Sequence, residues 1–118
     1  MFSQRKPKKP VEVAPRNRAN ELLLCEAIHG HFVVRFRYKD DLRDRDFEPS
    51  AVYFSTTGKV CVSGIMTSNP NDLTDQLGPH NFEVAKMSLL TKTLRRFDPD
   101  PRFDRNDSKY SNGIICSI

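Results

Sequence analysis

HFVVRFRY at positions 31–38, RDFEPSAVYF at 45–54 and KVCV at 59–62 decide the fold of this chain. In the first segment apolar side chains alternate with arginines and one valine, which is the period of a half-buried strand. Charged residues 39–44 and polar residues 55–58 turn the chain between the segments. Pro49 has no amide hydrogen, so it restricts the second strand to an edge, an end or a bulge. The stretch therefore predicts three strands in a meander.

A helix is predicted before the meander, over residues 19–30. Asn20 or Asn17 suits its N-cap, and Gly30 suits the position after its last turn. Its apolar residues cover more than one face, so we expect little of the helix to remain exposed.

After the meander, Ser63 and Gly64 are expected to end the third strand, and residues 66–79 read as a long loop. Leu73 and Leu77, four residues apart, predict one helical turn packed against the strands. Residues 82–86 resume the alternation, and residues 87–94 continue as a bent or separate fifth strand. Because an open five-stranded sheet leaves two edges, a small antiparallel barrel is favoured.

Charge divides the chain in two. Residues 1–18 hold six of the basic residues and one acidic residue, whereas residues 19–118 hold 13 basic and 14 acidic residues. We predict a disordered basic tail over residues 1–18 and a single domain over residues 19–118. The tail would be a phosphate-binding arm, or else a solubilising leader or the remnant of a lost upstream domain.

The cysteines Cys25, Cys61 and Cys116 are odd in number, far apart and each in an apolar stretch. This pattern predicts reduced thiols that serve as small core residues in an intracellular compartment. No apolar run has the length of a membrane span or the position of a secretion signal. A cytoplasmic protein without membrane contact is expected.

Enzyme chemistry is not predicted, since the sequence has no nucleophile, phosphate-loop or metalloprotease motif. Cys61 and His80 would meet only if their strands were adjacent, and no third group supports them. The aspartates of residues 98–107 fail the calcium-loop pattern, because Phe103 and Lys109 stand where glycine and glutamate are required. We expect no metal and no cofactor. The apolar end, residues 114–118, predicts an added edge strand or part of an interface.

Arg35 and Arg37 would project from the same face of the first strand, about 7 Å apart. Such a pair can hold a phosphate, or it can pair with acidic residues of the hairpin, and the abundance of those acids favours the ion pairs. Tyr38 and Tyr53 can stack on a base, or they can be core aromatics with the hydroxyl at the rim.

The order of these segments resembles the WYL domain of bacteria. The resemblance rests on Glu26-Ala27-Ile28, a strand ending in Tyr38, Arg45-x-Phe47-x-Pro49, and the segment from Phe82 to Met87. The tripeptide that names the family falls on Val60-Cys61-Val62, so its aromatic pair is missing. Two arginines that the family carries near Phe82 are Glu83 and Lys86 here, and a third aligns with His80.

The resemblance implies an SH3-like or Sm-like five-stranded barrel with the helix in front. WYL domains are mostly regulatory, often fused to a winged helix-turn-helix, and some are implicated in binding nucleotides or single-stranded nucleic acid. By this resemblance the ligand residues are Tyr38, Arg45, Tyr53, His80 and Lys86, to which the sequence alone adds Arg35 and Arg37. The chain lacks the helix-turn-helix, so a role in transcription or defence-related regulation would require a DNA-binding partner.

The expected function is therefore a non-enzymatic regulatory module that binds single-stranded nucleic acid or a nucleotide. The alternative is a protein-interaction or self-association module that has lost the ligand site. The missing aromatic pair and Glu83 favour this alternative. In that case a homodimer would form through a barrel edge and the C-terminal strand.

Overall fold

The computed structural model describes residues 14–118 as one helix and six strands. In chain order these are α1 Arg18–Gly30, β1 Phe32–Tyr38, β2 Arg45–Phe54, β3 Val60–Ser68, β4 Gly78–Glu83, β5 Met87–Arg96 and β6 Ile114–Ser117. Short 3-10 turns over Val84–Lys86 and Ser108–Tyr110 lie between β4 and β5 and before β6. The predicted mainly β class with an N-terminal helix is confirmed. Most of the predicted basic tail, residues 1–13, lies outside the described residues.

The strands form one antiparallel sheet in the order β4-β3-β2-β1-β5, with β6 also paired to β2. The predicted meander of the first three strands is confirmed, and the predicted number of five strands is wrong by one. Within residues 14–118 no pairing joins β4 to β5, so this sheet is open. Closure into a barrel, with an SH3-like or Sm-like identity, stays a prediction. The sixth strand is the apolar chain end, for which the sequence predicts an edge strand or part of an interface.

β2 shares one of its edges between two partners. It pairs with β1 at Arg45–Phe47 and with β6 at Ala51–Tyr53, and it pairs with β3 along its other edge. Pro49 lies between the two partners, beside a register shift against β3. A residue without an amide hydrogen is tolerated where the ladder is interrupted. Of the three positions predicted for Pro49, an edge, an end or a bulge, the register shift fits the bulge.

β3 continues through Ser63 and Gly64, so the predicted end of this strand is wrong. Gly64 stands opposite Pro49, and a Cβ added to it would overlap the carbonyl oxygen of Glu48. Glycine inside a strand can mark a close approach of two backbones rather than an end. Here the approach is made by the bulged part of β2.

The main core lies between α1 and one face of the sheet. The predicted alternation of β1 is confirmed over residues 34–36, where Val34 and Phe36 are fully buried and Arg35 is exposed, but Val33, predicted on the outer face, is buried as well. Phe36, Phe47 and Phe82 meet edge to face, with ring centroids 5.1 to 5.9 Å apart. This is a geometry that aromatic pairs favour.

One of the two predicted N-caps of α1, Asn17, is confirmed. The side chain of Asn17 accepts a hydrogen bond from the amide of Asn20 at 3.0 Å, which satisfies a free donor of the first turn. The C-terminal prediction is wrong, because Gly30 is the last helical residue and His31 takes the left-handed conformation, with φ of 56°. Gly30 has another role: a Cβ there would lie 2.5 Å from the ring of Phe32.

Three predicted apolar contacts are not made. Leu22 of α1 is 64% exposed, so part of the helix faces solvent. Leu73 is 92% exposed and Leu77 is also exposed, and neither belongs to a helical turn. The loop is held instead by polar groups, with the buried Asn69 donating to Asp75 at 2.9 Å.

A disulfide joins Cys25 of α1 to Cys116 of β6, so the prediction of three reduced cysteines is wrong. The two residues are 91 positions apart, and no local spacing indicates the pair. Cys61 is the free cysteine and is buried, as predicted for a core residue. Among residues 14–118, no helix is long and apolar enough to cross a membrane.

Candidate ligand-binding site

The largest cavity described lies at the tip of the β1–β2 hairpin and has a volume of about 700 Å³. Its walls are the hairpin tip and the start of the loop after β3: Tyr38, Lys39, Asp40, Asp41, Leu42, Arg43, Arg45, Pro70 and Asn71. Small-molecule sites occupy roughly 300 to 1,000 Å³. Two of the predicted ligand residues, Tyr38 and Arg45, therefore line a space of the required size.

Asp41 folds the hairpin tip back onto both ends of the turn. Its carboxylate accepts a hydrogen bond from the backbone amide of Tyr38 at 2.8 Å, and its own amide donates to the carbonyl of Tyr38 at 3.1 Å. The same carboxylate accepts two hydrogen bonds from Arg45, at 2.7 and 3.0 Å. A bidentate guanidinium–carboxylate pair fixes orientation as well as charge. The turn is therefore held in one shape.

Arg45 is only 15% exposed and lies against two aromatic rings. Its guanidinium carbon is 5.8 Å from the ring centroid of Tyr38 and 5.5 Å from that of Phe82. The hydrogen bond to Asp41 raises the pKa of Arg45. Burial raises the pKa of Asp41, but its hydrogen bonds from Arg45 and the Tyr38 amide outweigh burial, and the pKa is lowered. The pair therefore stays ionised, and its charges largely cancel.

Asn71 fastens the loop after β3 to the hairpin tip. Its side-chain oxygen accepts from the amides of Leu42 and Arg43, at 3.1 and 2.9 Å, and its side-chain nitrogen donates to the carbonyl of Arg43 at 2.9 Å. Three hydrogen bonds from one amide hold both walls of the cavity together. A site with fixed walls loses less entropy when it binds a ligand.

The rim of the cavity carries two further cations. Lys39 and Arg43 are exposed, and neither forms an ion pair with a carboxylate among residues 14–118. The ammonium of Lys39 lies 5.6 Å from the ring centroid of Tyr38. Asp40, also exposed, is the lining carboxylate outside the Asp41–Arg45 pair. The rim can therefore offer two cations to an anion.

The two outer arginines of β1 pair with acids of the hairpin, as the favoured alternative predicted. Arg35 donates to Asp46 at 2.8 Å and Arg37 donates to Asp44 at 3.2 Å. Arg95 of β5 approaches the other oxygen of Asp46, at 3.4 Å. These pairs lie outside the cavity lining. Their charges are engaged within the chain.

Tyr53 is not brought together with Tyr38. It is 4% exposed and belongs to a second, smaller cluster, where its ring meets that of Tyr110 at 4.8 Å and its hydroxyl donates to Asn81 at 3.0 Å. Tyr38 packs against the main core and accepts a hydrogen bond from the amide of Glu83 at 3.1 Å. Tyr53 is thus a core aromatic with a bonded hydroxyl, the second of the two predicted roles, whereas the partly buried Tyr38 also lines the cavity.

His80 and Lys86 lie outside the cavity lining as well. The ring of His80 stacks on Phe82 at 5.8 Å, and its Nε2 is 3.6 Å from a carboxylate oxygen of Asp75. Lys86 pairs with Glu83 at 3.3 Å. Of the seven predicted site residues, the cavity gathers only Tyr38 and Arg45.

Cys61 and His80 do not meet. In the β3–β4 pairing Cys61 stands opposite Glu83, while His80 stands opposite Gly64. Burial raises the pKa of the Cys61 thiol, which keeps it protonated and weakly nucleophilic. Among residues 14–118, no group of three or more His, Cys, Asp and Glu side chains is placed to hold a metal ion.

Sequence reasoning missed four residues of the cavity, because three of them lie in the charged turn over 39–44 and one in the long loop over 66–79: Lys39, Asp41, Arg43 and Asn71. The one available signal was the mixture of cations and aspartates directly after Tyr38. Asn71 carries no local signal, since its partners lie 28 and 29 residues earlier. Comparison with protein-family models, curated proteins and solved structures finds no match to this chain.

Proposed function

We propose that this protein is a non-enzymatic regulatory module that binds a nucleotide or a short single-stranded nucleic acid in the hairpin-tip cavity. The WYL resemblance supports this reading, because it independently selects Tyr38 and Arg45 as ligand residues. The observation that carries the proposal is the placement of these two residues beside Lys39 and Arg43, two cations without an acidic partner in the described part of the chain.

The roles within the site differ from those the resemblance implies. Arg45 is partly buried and neutralised by Asp41, so it orients the turn and the ring of Tyr38 rather than supplying charge. Phosphate contact falls to Lys39 and Arg43, which are exposed. Phosphate groups attract such cations without regard to base sequence. Binding is therefore expected to be salt-dependent and weakly selective for sequence.

Self-association through a sheet edge is less favoured by the geometry of the edge strands. β4 contains Pro79, and β5 has two register shifts and carries Lys92, Arg95 and Arg96. Prolines, bulges and cations on an edge oppose pairing with another chain. The C-terminal strand is already paired with β2 in the same chain.

Fluorescence anisotropy with labelled single-stranded DNA and RNA, each at several salt concentrations, tests the proposal. The double variant Lys39→Ala/Arg43→Ala should bind about tenfold more weakly or worse, and its salt slope should fall by about 2, one for each lost phosphate contact. Displacement of the probe by ATP or GTP would show that the site binds a nucleotide.

Two matched variants distinguish binding in the cavity from binding to cations elsewhere in the chain. Lys92→Ala/Arg96→Ala also removes two cations, but from β5, and should bind like the parent. Replacing Arg5, Lys6, Lys8 and Lys9 with glutamine removes the tail charge in the full-length chain. If that tail variant loses all binding while Lys39→Ala/Arg43→Ala keeps it, the cavity is not the site and the proposal is wrong.

A further inference from the structure

β6 occupies one end of β2, away from the hairpin-tip cavity. It pairs with Ala51–Tyr53, where the pairing of β2 with β1 has already ended. Residues 97–113 connect it to β5 and contain no strand, only the short turn Ser108–Tyr110. This connection is anchored near its end by Tyr110, which is buried against Tyr53 and whose hydroxyl lies 2.6 Å from that of Ser63.

Few backbone contacts hold β6. Beyond its short pairing with β2, the amide of Phe54 donates to the carbonyl of Gly113 at 3.0 Å, and the amide of Ile118 donates to that of Ser50 at 2.9 Å. Cys116 and Ile118 pack against the main core. The remaining tie is covalent, the Cys25–Cys116 disulfide to α1. Both its cysteines are partly exposed, so a reductant can reach this region.

We propose that this disulfide is a redox latch, and that its reduction allows β6 to exchange between two copies of the chain. A dithiol supplies two electrons and two protons: the Cys25–Cys116 bond breaks, two thiols form, and the dithiol becomes a disulfide. The chain end is then held by its short ladder, by apolar contacts and by the buried Tyr110 just before β6. This inference is independent of the ligand site proposed above.

The second copy is the occupant that fits the vacated edge. Release of β6 leaves the outer edge of β2 at Ala51 and Val52 without a strand partner, and a free strand edge is a template for pairing with another chain. The β6 of another copy restores the same register and the same side-chain contacts. Tyr110 would move with β6, and residues 98–109 before it can extend by at most about 3.3 to 3.6 Å per residue, which is ample for a crossing strand. Exchange of an identical element is a low-cost route to a dimer.

Mixing two single variants of the full-length chain tests the exchange. Cys25→Ser retains Cys116, and Cys116→Ser retains Cys25, so neither can form the latch within one chain. Both would be made with Cys61→Ser, which removes the third thiol. They would be reduced, mixed, reoxidised and run on a non-reducing gel. We expect a covalent heterodimer at twice the 13.6 kDa chain mass, with a Cys25–Cys116 cross-link by peptide mapping.

Each variant reoxidised alone is the matched control, because it can link only identical cysteines. The parent chain provides a second arm: under dithiothreitol, light scattering should show a rise in mass towards a dimer that is absent in the oxidised protein. A heterodimer no more abundant than random pairing of the two single thiols would give, judged from the covalent dimers of the single variants, would overturn the proposal. So would a reduced parent that stays monomeric while the amides of Phe54 and Ile118 remain protected from hydrogen exchange.

Discussion

The two halves of β2 are held in different ways. Its first half pairs with β1, the strand immediately before it in the chain, and Phe47 there packs among the rings of Phe36 and Phe82. Its second half pairs with β6, which comes from the end of the chain and is bonded through Cys116 to α1. Both halves pair with β3 and contribute to the main core, but the other edge of the first half is held by a local hairpin, whereas that of the second is held by a distant strand and a covalent bond.

The comparison shows that the separation of two segments along the chain decides which interactions are needed to hold them together. Closing a short turn costs little entropy, so the β1–β2 contact requires only packing. Bringing residues 91 positions apart together costs more, and a disulfide removes that cost from the unfolded chain. We therefore expect a core substitution in the first half of β2 to destabilise the whole domain, and a cysteine substitution beside the second half to have a smaller and more local effect.

The largest effect is expected for Phe47→Ala. Phe47 is fully buried at the centre of the aromatic cluster, and truncating a buried phenylalanine costs about 3 to 5 kcal/mol. Urea unfolding followed by circular dichroism should show a large loss of stability for the whole domain. Leu73→Ala, at a site 92% exposed, is the control and should change the unfolding free energy by less than about 0.5 kcal/mol. Equal effects would contradict the assignment of the core.

A smaller and more local effect is expected for Cys116→Ser. Loss of a disulfide that closes a long loop costs about 2 to 4 kcal/mol, and the amides of Phe54 and Ile118 should lose protection from hydrogen exchange first. The matched variant Cys61→Ser keeps the bond and should retain that protection. Uniform loss of protection, extending to β1 at the same rate, would show that the two halves of β2 are not separable.

The smallest effect concerns pH. Burial, followed by the charges of Cys61, Tyr110 and Asp107, raises the pKa of Tyr53 from 10.0 to about 12. Between these values the unfolded chain loses a proton that the folded chain keeps, so stability is full below pH 10 and falls as pH rises towards 12.

Phenolate absorbance at 295 nm would follow this titration. Tyr53→Phe should show a shallower fall in stability over the same range, and both chains would carry Cys61→Ser, because that thiol also has a raised pKa. A titration of Tyr53 near pH 10, or an unchanged slope in Tyr53→Phe, would contradict the buried environment of the second cluster.

The parts of the fold that the sequence predicts are those made by neighbours along the chain. The meander, the Asn17 cap and the bulge at Pro49 follow from alternation, capping and the missing amide hydrogen. The pairing of Arg35 with Asp46 was favoured because acids are abundant in the hairpin, 11 residues away. In each case the deciding partner lies within one turn or one strand.

The missed parts depend on partners that no local pattern brings together. Cys25 and Cys116 show no spacing motif, and Asn71 is separated from the hairpin tip by two strands, β2 and β3, and the turn between them. Gly64 reads as a strand end, because only the bulge beside it shows why a side chain has no room. The candidate site could not be predicted for the same reason, because its walls come from two segments that are far apart in the sequence and are joined by Asn71.

The Cys25–Cys116 bond also gives the chain the connectivity of a ring. Almost all of the sheet lies within the covalent loop that begins in α1 and ends in β6. One cut by a protease at the exposed stretch around Leu73 would therefore leave a single covalent molecule whose pieces separate only on reduction. The same closeness of α1 and β6 means that a peptide linker between them, with new termini opened near Leu73, should preserve the order of every strand pairing.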